Sequence, residues 1–586
     1  MRIKTTQKVN SMKKTLLSTT IALALTTIIS GCSAKTNDTS IERSQQRAQS
    51  PLVVTMLARH ESGQYGVSAA EILDYHPQSQ SIFVVNAKSG QVDILDAAVI
   101  STINSTKQAA IDPLTLNNMT KKATLNLAED LNLTGLGSVN SVAIYDNLLA
   151  VAIERGDNQG NPVQGRGFIG FYTLDSTGNA TYLQAVEVGF LPDNVVFTHD
   201  GSKVVVANEG EPNGAYTVDP EGSVSIININ NNIPEKQAIH ISFNDFNHQA
   251  SRHHELPTGV KINGPKSSVS QDLEPEYVAI SHDNSQAFVS LQENNAIAII
   301  DLKSHRVERI VDLGSKDYGL ANNAIDASDK DGKVNIQAYA GVYGLYQPDT
   351  IASYSIDGAD FIVTANEGDA RDYAGFSEET RAGKLTLDKN HPQFEAIQDK
   401  KQLGRLKVTT SIGDTDNDGD IDKIYSYGAR SFSIWDAQGQ QVFDSGNDFA
   451  RITAARLGHN FNNHNSKNKG DNRSDDKGAE PEALALGSIE GRHYAFIGLE
   501  RTSGFMIYDI TEPQHAYFID YIVNRDFAPK FEIEDSQVTK GDPAKVGDLG
   551  PEGMKFIAAN HSPNGKPLLL VANEVSGTTV IYQLQK

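Results

Sequence analysis

Asp414, Asp416, Asp418, Asp420 and Asp422 occupy every second position of a nine-residue run that contains Gly419. Oxygen ligands at alternate positions of a glycine-permitted turn wrap a hard cation such as Ca2+. Asp414, Asp416 and Asp418 match the first three ligand positions of an EF-hand-type loop, and Gly419 matches its turn glycine. Asp420 would offer its carbonyl, and Asp422 falls at the next ligand position. Tyr425 stands where a bidentate Glu would close an EF-hand, and no helical pattern flanks the run, so this is not a full EF-hand. Five carboxylates this close repel one another, and a bound cation relieves that repulsion. Calcium in a structural role is therefore expected here, with a solvent-facing acidic turn as the alternative.

A second acidic pattern is spread along the chain. Glu154, Glu209, Glu293, Glu367, Glu500 and Glu574 each end the second apolar run of a repeated unit. In a radially repeated fold, equivalent positions form a ring. Six carboxylates at one level need cations, arginines or backbone amides to neutralise them. Arg155, Arg371 and Arg501 are the arginines nearest in sequence. The ring is either a site for a metal or cationic ligand at the mouth of a channel, or a set of braces between neighbouring units. Glu274-Pro275-Glu276, Glu480-Pro481-Glu482 and Pro551-Glu552 form another acidic set where units begin, and proline suits the first residue of a strand.

No GxSxG elbow, HExxH, P-loop or GxGxxG occurs. His253-His254-Glu255 looks like a metal pair, but adjacent residues on a strand face opposite ways. The chain has 73 acidic and 51 basic residues, a formal net charge of −22 that disfavours nucleic acid as a partner. Its one cysteine excludes an internal disulfide and a cysteine-based zinc site.

That cysteine carries the address. Met12-Lys13-Lys14 precedes an apolar stretch from Leu16 to Ile29, then Ser30-Gly31-Cys32. A basic start, a short apolar core and small residues before the break make a secretory signal, too short to span a membrane. Cys32 after Ser-Gly resembles a bacterial lipobox, in which the thiol is acylated. Residues 1–31 read as a lipoprotein signal peptide and 32–52 as a lipidated flexible tether. Ser33 in place of Asp favours the outer membrane of a Gram-negative cell envelope. Removing 1–31, with five basic and no acidic residues, brings the charge to −27.

The elements that position these residues are short β-branched and aromatic runs split by Gly, Asn and Asp turns. Seven copies of one unit begin at Glu71, Ser138, Pro192, Glu274, Pro348, Glu480 and Pro551. They predict an all-β fold, a seven-bladed β-propeller with long loop insertions over 53–586. Two tandem β-sandwiches are the alternative. Residues 370–425 read as a charged, partly helical insertion. Residues 458–478 are nearly devoid of apolar groups and read as a solvated loop unless a ligand or metal orders them. Trp435, in a strand-like run, reads as core.

Several segments carry a family resemblance: ANEGEP (207–212), LEPEYVAIS (273–281), TANEGDARDY (364–373), GDTDNDGDIDKIYSYGARSFSIWD (413–436), RSDDKGAEPEALALG (473–487) and GPEGMKFI (550–557). They resemble the bacterial choice-of-anchor I domain family, similar to the mesenchyme-specific cell-surface glycoprotein group, over 53–585. The resemblance implies a propeller of YVTN/WD40 character on a surface, held by variable anchors. Some relatives carry an alkaline-phosphatase label, and no catalytic residues come with it. The leading expectation is a non-catalytic, lipid-anchored, calcium-binding propeller with an unidentified surface ligand or protein partner. The alternative is a calcium-dependent phosphoester hydrolase, similar to β-propeller phytases. In it the channel carboxylates would hold metal, and Arg371, Arg430 or Arg473 would clamp phosphate.

Overall fold

The computed structural model describes residues 52–586 except 104, 109–110, 132, 134 and 158–160. The expected signal peptide, Cys32 and the expected tether up to residue 51 lie outside the described residues.

The all-β expectation is borne out. Seven antiparallel sheets of four or five strands follow one another along the chain. Their first strands are Leu73–His76, Leu136–Tyr145, Pro192–Phe197, Pro275–Ile280, Ile351–Ile356, Pro481–Ile489 and Pro551–Ile557. Each first strand packs beside the next, and the seventh packs beside the first, so the order closes on itself.

Strand sequences explain the stacking. Successive side chains on a strand point to opposite faces. In Ser81–Asn86, Ile82 and Val84 join the core shared with the seventh sheet, whereas Phe83 and Val85 join the core shared with the second. In Leu148–Arg155, Leu149 and Val151 face back to the first sheet, and Ala150 and Ala152 face forward to the third. Both faces are buried, so these strands read as continuous apolar runs. Trp435 sits in the layer between the fourth and fifth sheets, its indole N–H donating to Thr364 Oγ1 at 2.9 Å.

Closure uses both ends of the described chain. Val53–Glu61 pairs antiparallel with Thr578–Gln585, from Val53 opposite Gln585 to Glu61 opposite Thr578. The seventh sheet thus takes its outermost strand from the start of the fold. Leu57 on that strand is fully buried in the core between the seventh and first sheets. Arg59, also buried, donates from Nε to Asp548 Oδ1 at 2.7 Å.

The insertions differ from expectation. Between 370 and 425 there is no α-helix among the described residues. Short strands (Asp372–Tyr373, Phe376–Ser377, Glu379–Arg381, Lys407–Thr409) and 3-10 turns enclose a small core of Ala382, Ile397, Leu403, Leu406 and Val408. Gly383, Pro392 and Gly404 interrupt the helical runs there. A ten-residue helix instead spans Asp448–Leu457. Residues 458–478 are not a solvated loop: Phe461, Asn462, Asn463, Asn465 and Ser474–Lys477 are all buried. Protein partners replace water there. Arg525 donates to the carbonyl of His464 at 2.6 Å and to Asn463 Oδ1 at 3.1 Å, and Asn462 Nδ2 donates to Ser474 Oγ at 2.9 Å.

Leu57→Ala removes a buried side chain from the closing strand and is expected to cost about 2–5 kcal/mol. Chemical denaturation of the variant beside the parent checks this. An unchanged midpoint would mean the closing strand contributes nothing to global stability.

Candidate functional site

The starts of the sheets build the site. Pro192 pairs with Asn208, Pro275 with Leu291, Pro481 with Leu499 and Pro551 with Asn573, and the register shifts directly after each proline. Proline offers no N–H to the ladder, and a bulge re-aims the residue at the break. The residues so placed are Asp193, Glu276, Glu482 and Glu552. Asp349 also follows a proline, Pro348, but ahead of the fifth sheet's first strand, where no register shift occurs. All five line one cavity of about 500 Å3.

The sequence-derived ring of six glutamates divides. Glu209, Glu367, Glu500 and Glu574 directly follow the ends of second strands and line the same cavity. Glu154 and Glu293 are not among its lining residues. Glu154 accepts from the Ser138 amide at 2.8 Å, a bond inside its own sheet and not a brace to a neighbouring one. Glu293 lies in the field of Arg371 and Lys261, yet is near enough to the cavity to repel Glu276 and Glu209. With Asp369, ten carboxylates line the cavity against two cations, Lys477 and Arg501.

The two cations come from different places. Arg501, next to a ring glutamate, bonds Glu500 at 2.9 Å and Glu480 at 3.1 Å. Lys477 comes from the buried insertion and bonds Glu367 Oε1 at 2.5 Å. Arg155 turns away, its Nε donating to the Arg166 carbonyl at 3.2 Å.

Burial raises these carboxyl groups. Asp193 and Glu500 are pushed up to about 8, and Asp349 and Glu367 to about 7. Desolvation is the largest cause in each. Neighbouring carboxylates add to it, while Lys477 beside Glu367 and Arg501 beside Glu500 offset part of it. Glu209, Glu276, Glu482 and Glu552 are raised well above the usual range for the same first reason.

In the aspartate-rich loop, carboxylate oxygens of Asp414, Asp416 and Asp422 lie within 4.8 Å of one another. Gly413, Asn417 and Gly419 have positive φ, which lets the chain curl around them. Asp414 accepts from the Asn417 amide at 2.7 Å and the Gly419 amide at 3.0 Å. Asp422 accepts from the Thr415 amide at 2.6 Å. Asp418 accepts from the Asp420 amide at 3.1 Å and is outside the first trio. Asp420 and Asp422 form a second trio with Asp388, a residue that local spacing does not reveal.

The three arginines are not gathered for an anion. Arg371 is fully buried, bonding Glu274 at 2.6 Å and the Asp272 carbonyl at 2.6 Å. Arg430 donates to the carbonyls of Asp326, Ser474 and Asp476. Arg473 bonds Glu480 at 2.6 Å and Asp476 at 2.9 Å. His253–Glu255 is a 3-10 turn in which His253 Nδ1 meets the Phe246 carbonyl at 2.9 Å. Among the described residues no helix is long and apolar enough to cross a membrane.

The class so defined is an all-β fold of sheets stacked in a closed order, with an acid-lined cavity at one end of their first strands. The chain belongs to the choice-of-anchor I domain family, which matches residues 71–513. Gigasin-3a from Magallana gigas is 29% identical over 199 residues, covering 33% of this chain and 68% of Gigasin-3a. Among solved structures, the Cps50 (Swd1) β-propeller domain of Myceliophteria thermophila is 8% identical with a TM-score of 0.36, covering 90% of this chain and 100% of that domain. The Pan2 WD40 domain of Neurospora crassa is also 8% identical, with a TM-score of 0.38, covering 90% and 95%.

The raised carboxyl groups set a pH dependence for the metal-free protein. Their folded forms bind protons that the unfolded chain has released, so this stability is present below the ordinary carboxylate range and is lost as pH rises through 7 to 8. Thermal unfolding in chelator is expected to give a lower midpoint at pH 8 than at pH 5.5. A midpoint that rises with pH would contradict this electrostatic description.

Proposed function

We propose that this chain is an exported, lipid-anchored, seven-bladed β-propeller that binds calcium at the Asp414–Asp422 loop and presents a binding surface at the cell envelope without catalysis. The observation that carries the calcium reading is the convergence of Asp414, Asp416 and Asp422, with Asp388 joining Asp420 and Asp422 from a separate segment. An ion shared by the two trios would tie the loop to the earlier stretch of the same insertion that bears Asp388. The closed order of seven sheets supports the blade count. Family membership supports a surface location, and the lipobox-like Ser30-Gly31-Cys32 supports anchoring through acylated Cys32 in the outer membrane.

The alternative reading, a calcium-dependent phosphoester hydrolase, draws on the same cavity carboxylates. Arg371, Arg430 and Arg473 would have to leave their present acceptors to hold phosphate. The binding-protein reading needs no such rearrangement.

Calcium is expected to raise the melting temperature of the parent by several degrees, and Asp414→Asn/Asp416→Asn to remove most of that rise. Equal responses in parent and variant would refute the loop as the stabilising site. Incubation with phosphomonoesters, phosphodiesters and phytate in calcium is expected to release no phosphate. Release lost on chelation would establish the hydrolase instead.

A further inference from the structure

Two trios of carboxylates share Glu367, and the protein treats them differently. In the first, Glu367, Glu480 and Glu500 hold oxygens within 4.8 Å of one another. Glu480 is fully buried there, yet Arg473, Arg501 and Lys477 all reach it, at 2.6, 3.1 and 3.4 Å. Desolvation raises its pKa, and those three cations overcome that and hold it well below the usual range. Each member of this trio has a cation of the chain against it: three on Glu480, Arg501 on Glu500 and Lys477 on Glu367.

The second trio is Asp349, Glu367 and Glu482, also within 4.8 Å of one another. Its only ion-pair partner among the described residues is Lys477, shared through Glu367. Glu482 Oε2 is buried without a hydrogen-bond partner. In the same cavity, within charge range of Asp349, stands Glu276, 8% exposed, whose Oε2 also has none. A buried carboxylate oxygen left without a donor costs free energy that a ligand recovers. The cavity wall is made only of charged and amide residues. A long organic cation would find no apolar or aromatic surface for its methylenes, whereas a hard inorganic ion is bound by oxygens alone.

We propose that the cavity where the sheets begin is a second divalent-cation site, centred on Asp349, Glu367 and Glu482 with Glu276 beside them, and distinct from the Asp414–Asp422 loop. It takes an oxygen-preferring ion of the calcium class. Lys477 is an internal competitor: its ammonium occupies Glu367 and the Gly368 carbonyl, and the incoming ion must share or displace it.

The test is equilibrium dialysis of the chelator-stripped full chain against calcium alone, with bound metal counted by elemental analysis. The parent is expected to bind at least one equivalent more than Asp349→Asn/Glu482→Gln. The same difference is expected when both carry Asp414→Asn/Asp416→Asn/Asp422→Asn, so that failure of the loop reading leaves this one intact. Both axial substitutions are isosteric, and circular dichroism checks that the fold persists. Lys477→Met is expected to tighten the axial site about tenfold or more, since one positive charge no longer competes. A purely structural lysine would not tighten binding when removed. Equal metal counts in the parent and the axial variant would overturn the proposal. So would displacement of the axial calcium by equimolar spermidine, or weaker binding by Lys477→Met.

Discussion

Concentrated negative charge where the sheets begin is the constraint on which the rest of this structure depends. A repeated unit places each of its residues at an equivalent point around a closed ring. One acid per unit, harmless along the chain, becomes a crowd when the ring closes. Here the Pro-acid starts and the glutamates after the second strands converge on one cavity, ten carboxylates against two cations. At an effective dielectric of about 20, two unit charges 4 Å apart interact with about 4 kcal/mol. Several such pairs would rival the whole stability of a typical domain. The fold must therefore keep some of these groups protonated, recruit cations, or both.

Part of the answer is covalently built in. The segment 458–478, which has almost no apolar residues, is folded inward through amides and carbonyls, with Arg525 donating to several of them. That burial delivers Arg473 and Lys477 to Glu480 and Glu367. The insertion thus functions as a counter-charge for the sheets it interrupts. Its polar composition is the cost of that role, because each buried charge must be hydrogen-bonded on its remaining sides.

The fold was legible because its signal is repeated and local. Apolar runs such as SIFVVN and LLAVAIE bury both faces, and seven copies disclose the repeat. The acids were legible for the same reason: Glu209, Glu367, Glu500 and Glu574 stand at equivalent positions, and Glu276, Glu482 and Glu552 each follow a proline. Contacts made across the fold were not. Nothing near Lys477 announces a partner 110 residues away in Glu367. Asp388 joins Asp420 and Asp422 only because Leu387 bridges to Ile421. Glu154 and Glu293 show the limit of the repeat argument, since equal position in the unit set them near the cavity's acids without making them part of its wall. The 458–478 misreading has one cause: low apolarity predicts solvation only where the chain's polar groups find no partners in the protein.

The same charge balance governs which ligands are admissible. A phosphate ester brings negative charge to a wall that is already negative, and it needs resident cations in excess of those that merely neutralise the wall. Lys477 and Arg501 are already bonded to Glu367, Glu480 and Glu500. Arg371, buried against Glu274, has no solvent-facing charge to lend. An inorganic cation has the opposite relation to the site. It lowers the repulsion as it enters, and it gains from oxygens such as Glu276 Oε2 and Glu482 Oε2 that have no other donor. An anion's entry therefore depends on cations bound before it, whereas a cation's entry depends only on the wall the chain itself supplies.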